Sequence, residues 1–261
     1  MQIISLPKKI TDLKIFPDAF ENNENIFYHG TSAIYSNQIE EFGLFPNHKP
    51  LTQYFYYLYE LADKIYTFTD GNNDFETFNK VFTDAFQYFK DFTRISFSAI
   101  SISAAHYSVG KMAGGQGLRH LVNLKTELDR INYALLENAN INISENHIYH
   151  YENINNEIDK IKKSNGVVYA FEFDNSDKIH LSYNNHSYHS VLLSLNHIHP
   201  SKIVGKIMIP NTLKLDQNLI EEGNKKSLEL NNIVNTTSFI REIIFQNMER
   251  NNIHDYFNPE E

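Results

Sequence analysis

The sequence predicts an α+β fold in which short strands carry a binding cleft and two long helical insertions interrupt them. Three observations point there. Residues 26–28 form a short apolar strand that runs into His29-Gly30-Thr31 and then a helix closed by Gly43-Leu-Phe-Pro46. A further strand pattern occupies 167–173, and the stretches 51–92 and 118–163 keep helical spacing almost throughout.

Residues 1–25 read as a leader, with Pro7, Pro17 and the acidic end Glu21-Asn-Asn-Glu-Asn25. In 26–46 the strand delivers His29 into a polar turn, where Gly30 lacks a Cβ and lets a flat ligand approach its amide. Thr31 or Ser32 can cap the next helix. Ile34, Gln38, Ile39 and Phe42 give it a mixed apolar face, and Gly43 stops it.

The first insertion, 51–92, is rich in aromatic residues. The run Tyr54-Phe-Tyr-Tyr-Leu-Tyr-Glu-Leu-Ala62 reads as a helix ending at Asp70-Gly71, and Phe75, Phe78, Phe82, Phe86 and Phe89 recur at helical spacing after Asn72-Asn73-Asp74. Such a stripe is expected to be core. The alternative is a groove in which Tyr54, Tyr56, Tyr57 or Tyr59 stack on bases.

The second insertion, 118–163, places Leu121, Leu124, Leu128, Ile131, Leu135 and Leu136 on one helix. An Asn-rich loop with His147, Tyr149, His150 and Tyr151 follows, and Ile154, Ile158 and Ile161 mark a returning helix. Alternation over 167–173 turns Val167, Tyr169, Phe171 and Phe173 one way and Glu172 the other, with Val168 and Ala170. The organisation expected is one domain over 1–215, followed by a helical extension over 216–261 that carries Leu228, Ile233, Phe239, Ile243, Ile244 and Met248. The extension is either a surface helix or a docking element for a regulator.

Composition bounds the function. A chain of 261 residues with 41% hydrophobic content can bury a sizeable core, and no apolar run is long enough for a membrane span. The N-terminus lacks the order of a signal peptide, so a cytoplasmic protein without membrane attachment is expected. The absence of cysteine excludes disulfides, thiolate metal sites and thiol nucleophiles. The net charge of −9 disfavours a broad basic surface for nucleic acid, while leaving room for a local basic groove.

The order of motifs resembles the ADP-ribosyltransferase superfamily. His29-Gly30-Thr31 followed by a helix to Gly43-Leu-Phe-Pro46 is similar to that family's first motif. Arg94-Ile-Ser-Phe-Ser98 with Ala104-Ala-His-Tyr107 is similar to its second, a strand ending in Ser or Thr and a helix with Ala-x-x-Tyr. Residues 166–174, 190–193 and 198–209 resemble its closing strands, so the likeness spans roughly 26–210.

The resemblance implies two split antiparallel β-sheets around a cleft for NAD, which serves as substrate. It implies that His29 bonds the adenosine-side ribose, that the Gly30 backbone grips the nicotinamide amide, and that Tyr107 stacks on the nicotinamide ring. Thr31 and Ser98 would complete the pocket, with Arg94 and Arg119 as contacts to pyrophosphate or acceptor. The family places a Glu where this chain has Ser190, or His189 with a one-residue slip, and these stand as the candidate catalytic groups there. Glu172 is the nearest carboxylate that could substitute.

Breaking the nicotinamide–ribose bond leaves positive charge on the sugar, so such a site must hold the leaving group and supply negative potential beside it. The implied activity is transfer of ADP-ribose from NAD to a macromolecule, with a nucleic-acid acceptor slightly favoured over protein. The resemblance implies a bacterial toxin or phage-defence effector, which would pair with an antitoxin or inhibitor protein. The alternatives are protein modification, an inactive NAD or ADP-ribose binding module, an NAD glycohydrolase and an RNA 2′-phosphotransferase. His180, His186, His189, His197 and His199 crowd one region, yet no Cys or spaced acid accompanies them, and no metal is expected. The glycines at 110, 114, 115 and 117 match no phosphate-binding fingerprint.

Overall fold

The computed structural model describes residues 1–46, 51–69, 73–91, 95–109, 115–131, 145–174, 181–183 and 192–235. In chain order the elements are β1 (Gln2–Ile4), α1 (Asp18–Glu21), β2 (Ile26–Ser32), α2 (Ser36–Phe42), α3 (Thr52–Thr69), α4 (Glu76–Asp91), β3 (Ile95–Phe97) and α5 (Ser101–His106). They continue with α6 (Gly115–Arg130), α7 (Glu145–Lys163), β4 (Gly166–Glu172), β5 (Leu181–Tyr183), β6 (Leu192–Ser194), β7 (Ile203–Ile209) and α8 (Gln217–Asn235). The fold is α+β.

The strands form two sheets, one ordered β1-β7-β4-β2 and one ordered β3-β6-β5. The three-stranded sheet is antiparallel, but the four-stranded sheet is mixed, because β1 runs parallel to β7 with Gln2 opposite Gly205. The expectation of antiparallel sheets throughout is corrected at that edge. The leader supplies the strand responsible, and it also gives Leu13, Ile15 and Phe16 to the core.

A further expectation changes at β2. His29, Gly30 and Thr31 lie inside β2 instead of in a turn, since β2 pairs with β4 from Ile26 opposite Glu172 to Ser32 opposite Gly166. Seven paired positions outweigh the turn preference of a short polar triplet. The alternation expected for 167–173 holds in direction, with Val167, Tyr169, Phe171 and Phe173 in one apolar cluster and Val168 and Ala170 in the other, yet both faces are covered. Val168 and Ala170 are as buried as Val167, Tyr169 and Phe171, because β4 lies between β2 and β7 with apolar clusters on both faces.

The aromatic stripe is core. Phe55, Leu58, Phe78, Phe82 and Phe89 from α3 and α4 pack with Leu121, Leu124 and Leu128 of α6 and with Ile154, Ile158 and Ile161 of α7. The two insertions therefore share one helical layer. His147, Tyr149, His150 and Tyr151 belong to helix α7, not to a loop. No Gly or Pro interrupts 145–153, so the helix extends upstream from its isoleucine face.

Helix α8 lies on α5, with Ile220 buried and Gly223 so close that a Cβ there would sit 2.7 Å from Ile102 Cγ2. Phe239, Ile243, Ile244 and Met248 lie outside the described residues, as do Leu135 and Leu136. Among the described residues no helix is long and apolar enough to cross a membrane.

Candidate functional site

Strand β2 joins the two sheets at one point. The Tyr28 amide donates to Ser98 O at 2.7 Å, and the Ser98 amide donates back to Tyr28 O at 2.8 Å. Ala33 N bonds Asn165 O and Phe173 N bonds Asn25 O, which makes the odd-numbered residues of β2 the ones hydrogen-bonded to β4. Backbone groups of alternate residues point to opposite edges of a strand. The N–H and C=O of Gly30 therefore face the same edge as those of Tyr28, two residues beyond the bridge to Ser98.

Helix α5 closes one face of that edge. A Cβ built on Gly30 would fall 1.7 Å from Ala104 O, so the glycine is required by the contact between strand and helix. Ala104 O in turn accepts the Tyr107 amide at 3.1 Å, which puts Tyr107 immediately past the end of α5 and beside Gly30. The Ser98 hydroxyl donates to Ile100 O and accepts from Ile100 N, so it is engaged in the turn from β3 into α5. Ser32 caps the 3-10 turn Ala33–Tyr35, its Oγ accepting from Ile34 N. Thr31 is buried.

His29 is half-buried on the face of β2 opposite α5, 5.9 Å from the Phe97 ring between centroids. Its Nδ1 lies 2.9 Å from Ser96 O. A carbonyl can only accept, so Nδ1 carries the hydrogen and Nε2 is the acceptor. Burial lowers the pKa of the imidazole, opposed in part by the Ser96 carbonyl. The ring is thus neutral at neutral pH, and among the described residues nothing bonds Nε2.

The helical layer brings a second set of groups to Tyr107. Burial raises the Tyr107 pKa, and the nearby Arg119 cation works against that rise. Arg119 is exposed and, among the described residues, makes no ion pair. Sequence reasoning missed Tyr88 of α4 and His120 of α6, whose rings stack at 4.7 Å and 25°. Tyr88 is pushed up to about 12 by burial, against the pull of the Gly117 amide. His120 is lowered, chiefly by burial, with Asp84 opposing and Arg119 reinforcing. Only the packing of α4 on α6 reveals this pair.

Another missed feature is a polar row on the His29 face. Tyr169 stands opposite His29 in the ladder, and Lys206 stands opposite Tyr169. The Tyr169 hydroxyl donates to Glu40 Oε1 at 2.9 Å, and Lys206 Nζ reaches the same oxygen at 2.6 Å. On the opposite face, Glu21 accepts from the amides of Ile15 and Phe16 and from Ser101 Oγ, fastening the leader to α5.

Other expected residues do not converge. Glu172 is exposed at the far end of β4, opposite Ile26, with Asn23 Nδ2 at 3.4 Å. Arg94, His189 and Ser190 lie outside the described residues, as do His180 and His186. His197 Nε2 donates to Phe42 O at 2.7 Å, and His199 Nδ1 pairs with Ser201 Oγ at 2.8 Å. Among the described residues no three His, Cys, Asp or Glu side chains gather to hold a metal ion. Gly115 has φ +78° at the start of α6, and Gly117 lies against Tyr88. No protein-family model, no curated protein and no solved structure matches this chain.

Proposed function

We propose that the chain has an ADP-ribosyltransferase-like fold and transfers ADP-ribose from NAD to a macromolecular acceptor, with nucleic acid favoured over protein. The observation that carries the reading is the edge of β2 at Gly30. An N–H and a C=O on one edge match the C=O and NH2 of a carboxamide, which is the polar group of nicotinamide. Beside them, His29 Nε2 is an acceptor suited to a ribose hydroxyl, and Tyr107 follows the helix that rests on Gly30. Arg119, near enough to Tyr107 to act on its ionisation, would meet a phosphate oxygen in this reading.

In this reading the carboxamide grip holds nicotinamide still while its bond to the ribose lengthens. The electron pair of that bond leaves with neutral nicotinamide, and the acceptor bonds to the sugar carbon. A bacterial toxin or phage-defence role in the cytoplasm, with an inhibitor protein as partner, is the setting that the motif resemblance favours.

The test is incubation of the protein with labelled NAD and a cell extract beside a His29→Ala control, separating nucleic acid, protein and free nicotinamide. Label on nucleic acid that disappears in the variant supports the reading. Label on protein keeps the transferase and reverses the acceptor. NAD binding without turnover would leave a binding module.

A further inference from the structure

We propose that Gly166 and Ser108 are positioning residues for Tyr107, fixing that residue beside the β2 edge before any ligand arrives. This rests on the reading of the Gly30 edge as an NAD site. Helix α5 has only six residues, too few to hold a place by itself, so contacts with its neighbours decide where its end lies.

Two of those contacts are made by glycines. Gly30 stands opposite Val168 in the β2–β4 ladder and Gly166 stands opposite Ser32, so the two glycines are diagonal neighbours on adjacent strands. They share the face on which Val168 and Ala170 pack with Ala104 and Ala105 of α5. Diagonal positions of a sheet lie about 7–8 Å apart, and four residues of helix advance about 6 Å. Ala104 and Ser108 are four residues apart and meet one glycine each. A Cβ on Gly30 would strike the Ala104 carbonyl, and a Cβ on Gly166 would lie 2.5 Å from Ser108 O, 2.6 Å from its Oγ and 2.7 Å from its Cβ. The end of α5 thus lies in a trough that the two missing side chains leave open.

Tyr107 sits between these contacts. Its amide donates to Ala104 O at 3.1 Å, while the Ser108 amide and hydroxyl both donate to Ala105 O, at 3.0 and 2.8 Å. Ser108 is buried, and Val109 enters the core behind it. The backbone on both sides of Tyr107 is therefore held against a strand, one side on β2 and the other on β4, whereas Tyr107 itself is half-buried. A side chain whose backbone is fixed in advance loses less freedom when a ligand packs on it.

The experiment is a double-mutant cycle read by calorimetric NAD affinity, with Gly166→Ala and Ser108→Ala each measured alone and beside Tyr107→Ala. Gly166→Ala is expected to weaken binding roughly 10–100-fold, the size of effect that an ångström-scale displacement produces. Beside Tyr107→Ala the same substitution should change affinity by less than about twofold, since its effect runs through the missing ring. Ser108→Ala adds no atom to the trough and removes only the hydroxyl bond to Ala105 O. It should cause a smaller loss with the same dependence on Tyr107, and it decides the question alone if Gly166→Ala does not fold. Losses that are equal with and without Tyr107 would overturn the positioning role, as would wild-type affinity in the single variants. A wild-type protein that binds no NAD would instead overturn the reading of the Gly30 edge, and this proposal with it.

Discussion

Gly30 and Ala104 touch backbone to backbone: a Cβ on the glycine would lie 1.7 Å from the Ala104 carbonyl oxygen and 2.6 Å from its carbon. Neither atom is the end of a flexible side chain, so strand and helix would have to part. Gly30→Ala is expected to destabilise the protein by at least the ~1–3 kcal/mol typical of overpacking, and to weaken NAD binding by displacing Tyr107. Thermal melts and titration calorimetry on the variant check both; an unchanged melting temperature would contradict the contact.

The His29 pKa is lowered from its ordinary value of 6.5, mainly by burial. The contribution to stability is therefore present above 6.5 and is lost as pH falls through the lowered value. NAD binding should hold through the pH range where a free imidazole titrates and weaken only below it. NMR titration of the His29 ring, read beside NAD affinity against pH, tests this, and a ring that titrates at or above the ordinary value contradicts it.

The Lys206–Glu40 pair is mostly shielded, with the two side chains 15% and 27% exposed. Lys206→Met should cost about 1.5–3 kcal/mol in urea unfolding, the range for losing a hydrogen bond to a charged group. Glu40→Gln should cost less, because its amide oxygen still accepts from Tyr169. Both variants keep the Tyr169 bond, so equal losses would mean that the charge on Glu40, and not the hydrogen bond it accepts, carries the pair.

Glu21 titrates in the opposite sense to His29. Burial raises its pKa above 4.5, ahead of the opposing bonds from Ser101, Phe16 and Ile15. Its favourable contribution is complete below 4.5 and is lost as pH rises through the raised value. Glu21→Gln should flatten the stability profile across that interval. Hydrogen exchange at the Ile15 and Phe16 amides should accelerate in Glu21→Ala, which leaves both without this acceptor.

Some of this architecture was legible in the residues themselves. Gly43 ends α2 with φ +82°, Ser98 marks the end of β3, and the spacing of Phe78, Phe82 and Phe89 forecast a buried helix face. The ambiguous parts were those that depend on partners far along the chain. Three residues of β1 carry too little pattern to announce a strand, and His29-Gly30-Thr31 is drawn into β2 only by its pairing with β4. Tyr88, His120 and Glu40 are ordinary helix residues in sequence. Their relation to Tyr107 or His29 exists only once α4 lies on α6, or α2 on the sheet.

The pairing of Gln2 with Gly205 also dictates an order of assembly during synthesis. Helices α3, α4, α6 and α7 all precede β4 in the chain, with β3 and α5 between the two pairs, and can collapse on each other as they leave the ribosome. Strand β1 emerges first yet has no neighbour until β7 follows at the end of the sheet. A nascent chain halted after α7 would thus hold a packed helical unit beside unpaired strands, exposing the edges that chaperones are needed to shield.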